Sequence, residues 1–239
     1  MKQHEAVIQS LEKLGGQATL AQLYIEAMKI KECKWATKTP FASIRRIVQT
    51  RPEIFKVRPG LWALHSYKSE LGLADETAAQ VKDTEQSHSY YQGLLVTIGN
   101  LRGFGTFTPN QDKNKKFVGT PLGDIRSLQE IPQFSYDFFV KRSRTIDVIW
   151  FNARQMPNSM FEVEHSTDIQ NSLVKFYDLK DFHARMIIVA HEGRRGEFEQ
   201  KIQYNAFDAI KGRTNFLGYN ALVKQYEYEL LQASQSFVI

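Results

Sequence analysis

Apolar positions recur along the start of the chain first at helical and then at strand spacing. Ala6, Val7, Leu11 and Leu14 fall on one side of a helix, and Gly15-Gly16 ends the pattern. Thr19 stands where a capping hydroxyl would open a second helix running to Met28, with Leu20, Leu23, Ile25 and Ala27 on its apolar faces. Thr39-Pro40 predicts a third helix: a capping threonine, proline at the first helical position, then Phe41, Ile44, Ile47 and Val48 turned inward. The period then shortens to two. IFKVRPGLWALHS (54–66) alternates apolar and polar residues around Pro59-Gly60, the pattern of a tight hairpin.

Residues 69–87 interrupt this pattern with a polar, partly acidic stretch short of aromatics, which reads as a linker with a helical turn or two. That divides the chain into 1–68, a linker at 69–87, and 88–239. The second unit opens with helical spacing of Leu94, Leu95 and Ile98, ended by Gly103. Short strands are expected in FGTFTPN (104–110) and FVGTPLGDI (117–125), with a basic polar loop between them, and another in FSYDFFV (134–140). TIDVIWF (145–151) alternates, a turn is expected at Pro157-Asn158, and MFEVEHS (160–166) returns. Thr167 or Asp168 can cap a helix through Asp181, and ARMIIVA (184–190) is a continuously apolar strand suited to a sheet covered on both faces. Residues 194–210 read as helix, FLGY (216–219) as a last short strand, and 220–232 as a closing helix. The succession predicts an α/β layered unit with a central mixed sheet flanked by helices, behind a smaller α+β unit.

Composition and charge refine this picture. Hydrophobic residues at 42% and charged residues at 24% fit a folded protein, and a 12% aromatic share argues against a disordered chain. The lone Cys33 excludes an intramolecular disulfide and any cysteine-cluster zinc site, which fits a reducing, cytoplasmic setting. There is no N-terminal apolar core of a signal and no apolar run of transmembrane length, so neither export nor membrane association is expected. The net charge of +5 leans mildly towards polyanions, and it is concentrated early: before residue 69, twelve Lys and Arg face five Glu.

Three helices and a hairpin follow the plan of a winged helix. GGQATLAQLYIEAMK (15–29) with TPFASIRRIVQTRPEIFKVRPGLWAL (39–64) resembles the HARE-HTH domains, winged-helix modules fused to nucleases and transcription-associated proteins. The resemblance rests on the glycine turn, the Thr-Pro-opened third helix and the wing residues Phe55, Val57, Gly60, Trp62 and Leu64. It implies binding of double-stranded DNA, with the third helix presenting Lys38, Ser43, Arg45 and Arg46, and with Lys56 and Arg58 on the wing meeting phosphates. A solvated charged face or a protein-interaction module would use the same residues.

The chemistry of the second unit concentrates in one hairpin, where Asp147, Glu162 and Glu164 stand among apolar neighbours. Alternation puts Glu162 and Glu164 on one face and Phe161 and Val163 on the other. Buried carboxylates side by side call for a positive partner or an open strand end. IDVIWF, FEVEHSTDIQNSLVKFYDL and ARMIIVA together resemble the PD-(D/E)xK, or restriction-endonuclease-like, nucleases. The resemblance implies a metal-dependent phosphodiesterase in which Asp147 and Glu162 bind Mg²⁺, with Mn²⁺ able to substitute and the Val163 carbonyl as a further ligand. Phosphodiester hydrolysis needs an activated water and charge stabilisation, and a hard cation held by carboxylates supplies both.

Two positions depart from the family pattern. Ile146 replaces its proline, which removes no ligand, and Glu164 replaces its usual lysine. Glu164 could serve as general base or bind a second cation. Lys175 on the next helix could bring an amine, although a solvated helix charge is the expected reading, and His165 reads as structural. Arg185, Arg194, Arg195, Lys201, Lys211 and Arg213 fit phosphate contacts and solvated faces equally. Three readings therefore stand: a restriction-type DNA endonuclease, a catalytically inactive DNA-binding or regulatory protein on a nuclease scaffold, and a pair of protein-interaction modules. Cutting both strands commonly takes two active sites, so the first is compatible with a homodimer.

Overall fold

The computed structural model describes residues 1–73, 79–165 and 168–235, with the backbone alone over 79–86. The described residues of Met1–Asp83 and Glu227–Ile239 form one compact unit, and Thr84–Tyr226 form another. Among the described residues no helix is long and apolar enough to cross a membrane.

The first unit runs α1 (Gln3–Lys13), β1 (Gln17–Thr19), α2 (Leu20–Met28), α3 (Pro40–Thr50), β2 (Ile54–Arg58) and β3 (Leu61–Leu64). Its three strands pair antiparallel in the order β1-β3-β2. Thr19 caps α2 reciprocally with Gln22, which satisfies the free amides of the first turn. Thr39 forms no side-chain cap, so α3 is entered through Pro40 alone, whose fixed φ suits a first helical turn. Val7, Leu11, Leu23, Ile44, Val48, Ile54 and Leu64 close the core. Strand β1 was not expected, because three residues are too few to display an alternation.

The second unit begins in α4 (Ala79–Leu101), which starts inside the stretch expected as linker; residues 74–78 of that stretch lie outside the described residues. There follow β4 (Gly105–Phe107), β5 (Lys116–Phe117), β6 (Thr120–Pro121), α5 (Leu122–Ile125), α6 (Asp137–Ser143), β7 (Val148–Phe151) and β8 (Pro157–Glu164). Next come α7 (Ile169–Tyr177), β9 (Arg185–Ala190), α8 (Arg195–Lys201), α9 (Asp208–Lys211), β10 (Thr214–Gly218) and α10 (Tyr219–Gln235). The five-stranded sheet has the order β10-β9-β8-β7-β4. Its first three strands are parallel, and β7 runs antiparallel to both β8 and β4. This is a mixed sheet flanked by helices. On one face Ile149, Met160, Met186 and Ile188 pack with Ile169, Leu173 and Phe176 of α7. On the other, the Trp150 indole donates to the Leu95 carbonyl of α4 at 3.1 Å.

That approach of helix to sheet requires a missing side chain. A Cβ on Gly99 would stand 2.5 Å from the Thr106 methyl and 2.6 Å from the Trp150 indole nitrogen. Gly99→Ala is therefore expected to lose about 1–3 kcal/mol, as overpacked cores do. Chemical denaturation measures it, and an unchanged midpoint would contradict the packing.

Three sequence expectations are corrected. FSYDFFV is not a strand: residues 137–143 are helix α6, with Asp137 in its first turn and Lys141 and Arg142 in its last, where they complement the helix dipole. The aromatic density suggested a strand, yet Tyr136 and Phe138 are exposed. The hairpin turn lies before Pro157, over residues 152–156; Asn152 Oδ1 accepts from the amides of Arg154 and Met156, Gln155 adopts φ 59°, and Pro157 already pairs with Phe151. Residues 194–210 hold α8, a one-turn 3-10 helix at Asn205–Phe207 and the start of α9, in place of one continuous helix.

Candidate active site

The β7–β8 register aligns the acids. Val148 pairs with Phe161, so Asp147, one residue before β7, comes beside Glu162 at the strand end. The Val163 amide donates to Asp147 Oδ2 at 2.7 Å and holds the carboxylate against the sheet. Glu162 and Glu164 pair with Ile188 and Ala190 of β9, on the face that α7 covers. Asp147, Glu162, Val163 and Glu164 are thus brought together. Glu162 is only 1% exposed and Asp147 9%.

Helix α7, capped by Asp168 through the Gln170 amide, supplies what these acids need. The expected alternative cap, Thr167, lies outside the described residues. The Ser172 hydroxyl hydrogen-bonds both Glu162 Oε2, at 3.0 Å, and Glu164 Oε1. Lys175 Nζ stands 2.7 Å from Glu162 Oε2 and donates to the Thr145 carbonyl at 3.1 Å. Lys175 is therefore not the solvated helix charge expected from sequence. Its ammonium enters the carboxylate cluster. Burial opposes its charge, but Glu162, then Asp147 and Glu164, hold its pKa above the ordinary lysine value. For Glu162 the balance is the reverse: burial first, then the Asp147 charge, push its carboxyl well above the usual range against the pull of Lys175. Glu162 Oε1 is buried and has no hydrogen-bond partner among the described residues. An unpaired carboxylate oxygen in such a place is costly, and a cation at that position would compensate it. The hard oxygen donors of Asp147 and Glu162 fit a divalent metal.

A second helix reaches the same strand end. His88 Nε2 of α4 lies 3.5 Å from Asp147 Oδ1. Burial disfavours the imidazolium, but Asp147 and then Asp112 raise its pKa above the ordinary value. The Gln92 amide nitrogen donates to Asp112 Oδ2 at 2.9 Å and to the Asp147 carbonyl at 3.2 Å. Sequence reasoning missed His88, Gln92, Asp112 and Ser172. One signal was present: His88 and Gln92 share the helical stripe of Tyr91 and Leu95, an odd place for polar residues. Asp112 carried none, sitting in a loop that read as basic and polar.

In the first unit, Lys38, Arg46 and Lys56 are exposed, while Ser43 and Arg58 are half-buried. Arg45 is engaged within the unit. It is exposed, and its guanidinium donates to the Tyr24 hydroxyl at 3.2 Å and to Glu227 at 3.1 Å.

The family model described as type II restriction enzyme NmeDI C-terminal domain matches residues 71–237, which include every residue of the carboxylate cluster. The type II restriction enzyme NmeDI of Neisseria meningitidis serogroup C is 27% identical over 154 residues, 60% of this chain and 43% of that protein. The chain thus spans less than half the length of this relative. No solved structure matches.

Proposed function

The chain belongs to the family of the type II restriction enzyme NmeDI C-terminal domain, and from that premise we propose that it is a metal-dependent, restriction-type endonuclease hydrolysing phosphodiester bonds of double-stranded DNA. The observation that carries this reading is the buried Glu162 carboxylate beside Asp147 with the Lys175 ammonium 2.7 Å away. In the PD-(D/E)xK reading, Asp147, Glu162 and the Val163 carbonyl would hold Mg²⁺, with Mn²⁺ as a substitute. Bound there, the ion supplies Lewis acidity towards the phosphate and a more acidic water.

The protein's own groups do the rest. Lys175 opposes the upward push on the Glu162 carboxyl and offers its ammonium to the attacking water and to charge developing on the phosphate, the role that the PD-(D/E)xK pattern gives to a lysine at position 164. Glu164 and Ser172 brace this arrangement, so that the cation comes from α7 in place of β8. The three-helix, three-stranded first unit supports a winged helix of HARE-HTH type spanning 1–68, ahead of the nuclease domain expected over 88–239, of which the described residues from Glu227 on group with the first unit. Lys38, Arg46 and Lys56 are its exposed phosphate-binding candidates, with Ser43 and Arg58 half-buried; Arg45 contributes less, being also hydrogen-bonded to Tyr24 and Glu227.

The test is direct. Purified protein is incubated with modified and unmodified plasmids in Mg²⁺, in Mn²⁺ and in chelator. Nicking or linearisation that needs the metal supports the reading. Salt-sensitive binding without cleavage of any substrate would sink it in favour of the inactive DNA-binding alternative. A homodimer is the arrangement proposed for double-strand cutting, and sedimentation on a cognate duplex tests it. For the winged helix, Lys38→Ala, Arg46→Ala and Lys56→Ala are each expected to weaken binding uniformly across sequences and to reduce the salt slope by about one. Slopes identical to the parent would remove these residues from the interface.

A further inference from the structure

We propose that His88, Asp112 and Asp147 form a second divalent-cation site, one with a nitrogen ligand that takes Mn²⁺ or a similar first-row cation in preference to Mg²⁺. Each offers one ligand atom, and all three atoms lie within 4.8 Å of one another. They come from separate places in the chain: His88 from α4, Asp112 from the turn between β4 and β5, and Asp147 from the residue before β7. Ligands of an octahedral cation at about 2.1–2.2 Å stand roughly 3–4.3 Å from one another, so the group is within about half an ångström of the spread of a coordination shell, a gap that small side-chain rotations close.

Several contacts argue that the site is built. Gln92, fully buried, ties Asp112 to the main chain of Asp147 through one amide nitrogen. Its Oε1, on the same amide, has no partner among the described residues. The Val163 amide fixes the other oxygen of Asp147, leaving Oδ1 turned to His88. The His88–Asp147 separation of 3.5 Å exceeds the 2.7–2.9 Å typical of a well-made charged hydrogen bond. The pair is held near contact without closing it, as two ligands of one ion are. Lys115 neutralises Asp112 at 2.8 Å, but its side chain is 35% exposed and flexible enough to withdraw. An imidazole nitrogen beside two carboxylates suits the borderline first-row cations better than Mg²⁺, which prefers oxygen throughout.

The inference rests on the nuclease reading only through Asp147, which it shares with the Asp147–Glu162 pair. Its test needs no DNA. Mn²⁺ is titrated into the full chain and bound ion is followed by electron paramagnetic resonance, with spin-echo detection of imidazole ¹⁴N. Wild type is expected to bind Mn²⁺ with nitrogen modulation that survives a tenfold excess of Mg²⁺. His88→Ala, or His88→Gln should the alanine variant misfold, is expected to lose the modulation and to weaken that class of Mn²⁺ at least tenfold. Bound Mn²⁺ without nitrogen modulation, or modulation unchanged in the His88 variants, would overturn this site and leave the Asp147–Glu162 reading standing. No bound Mn²⁺ at all would overturn both.

Discussion

Lys175→Met is expected to lower DNA cleavage by about 10²–10³-fold, the usual cost of removing one preorganised electrostatic group from a reacting centre. The expectation follows from where α7 puts the side chain. Lys175 Nζ is anchored by the Thr145 carbonyl and aimed at Glu162 Oε2. It is the cation that the described structure brings onto the buried acid. Methionine keeps the length and the apolar stem and removes the charge. DNA affinity measured in Ca²⁺ should change little, because the lost contact serves the reaction more than the binding. Single-turnover cleavage at saturating protein separates the two. A variant that cuts at the parental rate would return Lys175 to the solvated charge expected from sequence.

The contrast with Glu164 sharpens this result. Glu164 stands where the PD-(D/E)xK pattern it resembles has a lysine, but its carboxylate is hydrogen-bonded to Ser172. Glu164→Gln keeps an acceptor for that hydroxyl and should therefore cost less than Lys175→Met. The reverse order would favour Glu164 as general base, with Lys175 a mere counter-charge. Either order is read in the same assay as the ratio of two rates.

How far the sequence disclosed this arrangement depends on the range of the contacts. Asp147, Glu162 and Glu164 were legible because alternation along a strand is a local property, and acids among Ile, Val, Trp and Phe break it visibly. Helix α7 was legible by the same logic, from its apolar stripe of Ile169, Leu173 and Phe176. The meaning of Lys175 was not. A lysine one position from that stripe looks alike whether its ammonium meets water or a buried carboxylate, and the difference lies in how α7 docks on β8. His88 and Asp112 were hidden for the same reason, since they stand 24 positions apart in sequence while their ligand atoms come within 4.8 Å. Helix α6 failed differently. Phe and Tyr favour strands where they pack on a pleated surface, but Tyr136 and Phe138 pack on no such surface and the helix keeps Val140 buried.

Glu162→Gln should abolish cleavage and leave the metal-free protein as stable as the parent or more so at neutral pH. The sign follows from the titration of the buried acid. Burial, then Asp147, place the Glu162 pKa in the folded protein well above the unfolded value near 4.5. The folded state then binds the proton more tightly than the unfolded state. Its stabilising contribution is complete below about pH 4.5 and is lost as pH rises through the raised folded value. Holding Glu162 ionised is therefore a burden on the fold, relieved in part by Lys175 and Ser172. Glutamine carries no charge to bury, and Lys175, 26% exposed at its side chain, can still reach the Thr145 carbonyl and solvent. A gain of ~1 kcal/mol is expected, of the size seen when a functional strain is removed. That corresponds to a melting temperature higher by about 2–4 °C for a chain of this length. The difference should shrink as the buffer approaches pH 4.5, where the parental carboxyl is protonated as well. Thermal melts in chelator across that range measure it. A Glu162→Gln protein that cuts DNA, or that melts far below the parent at pH 7, would mean that this carboxylate serves the fold and not the reaction.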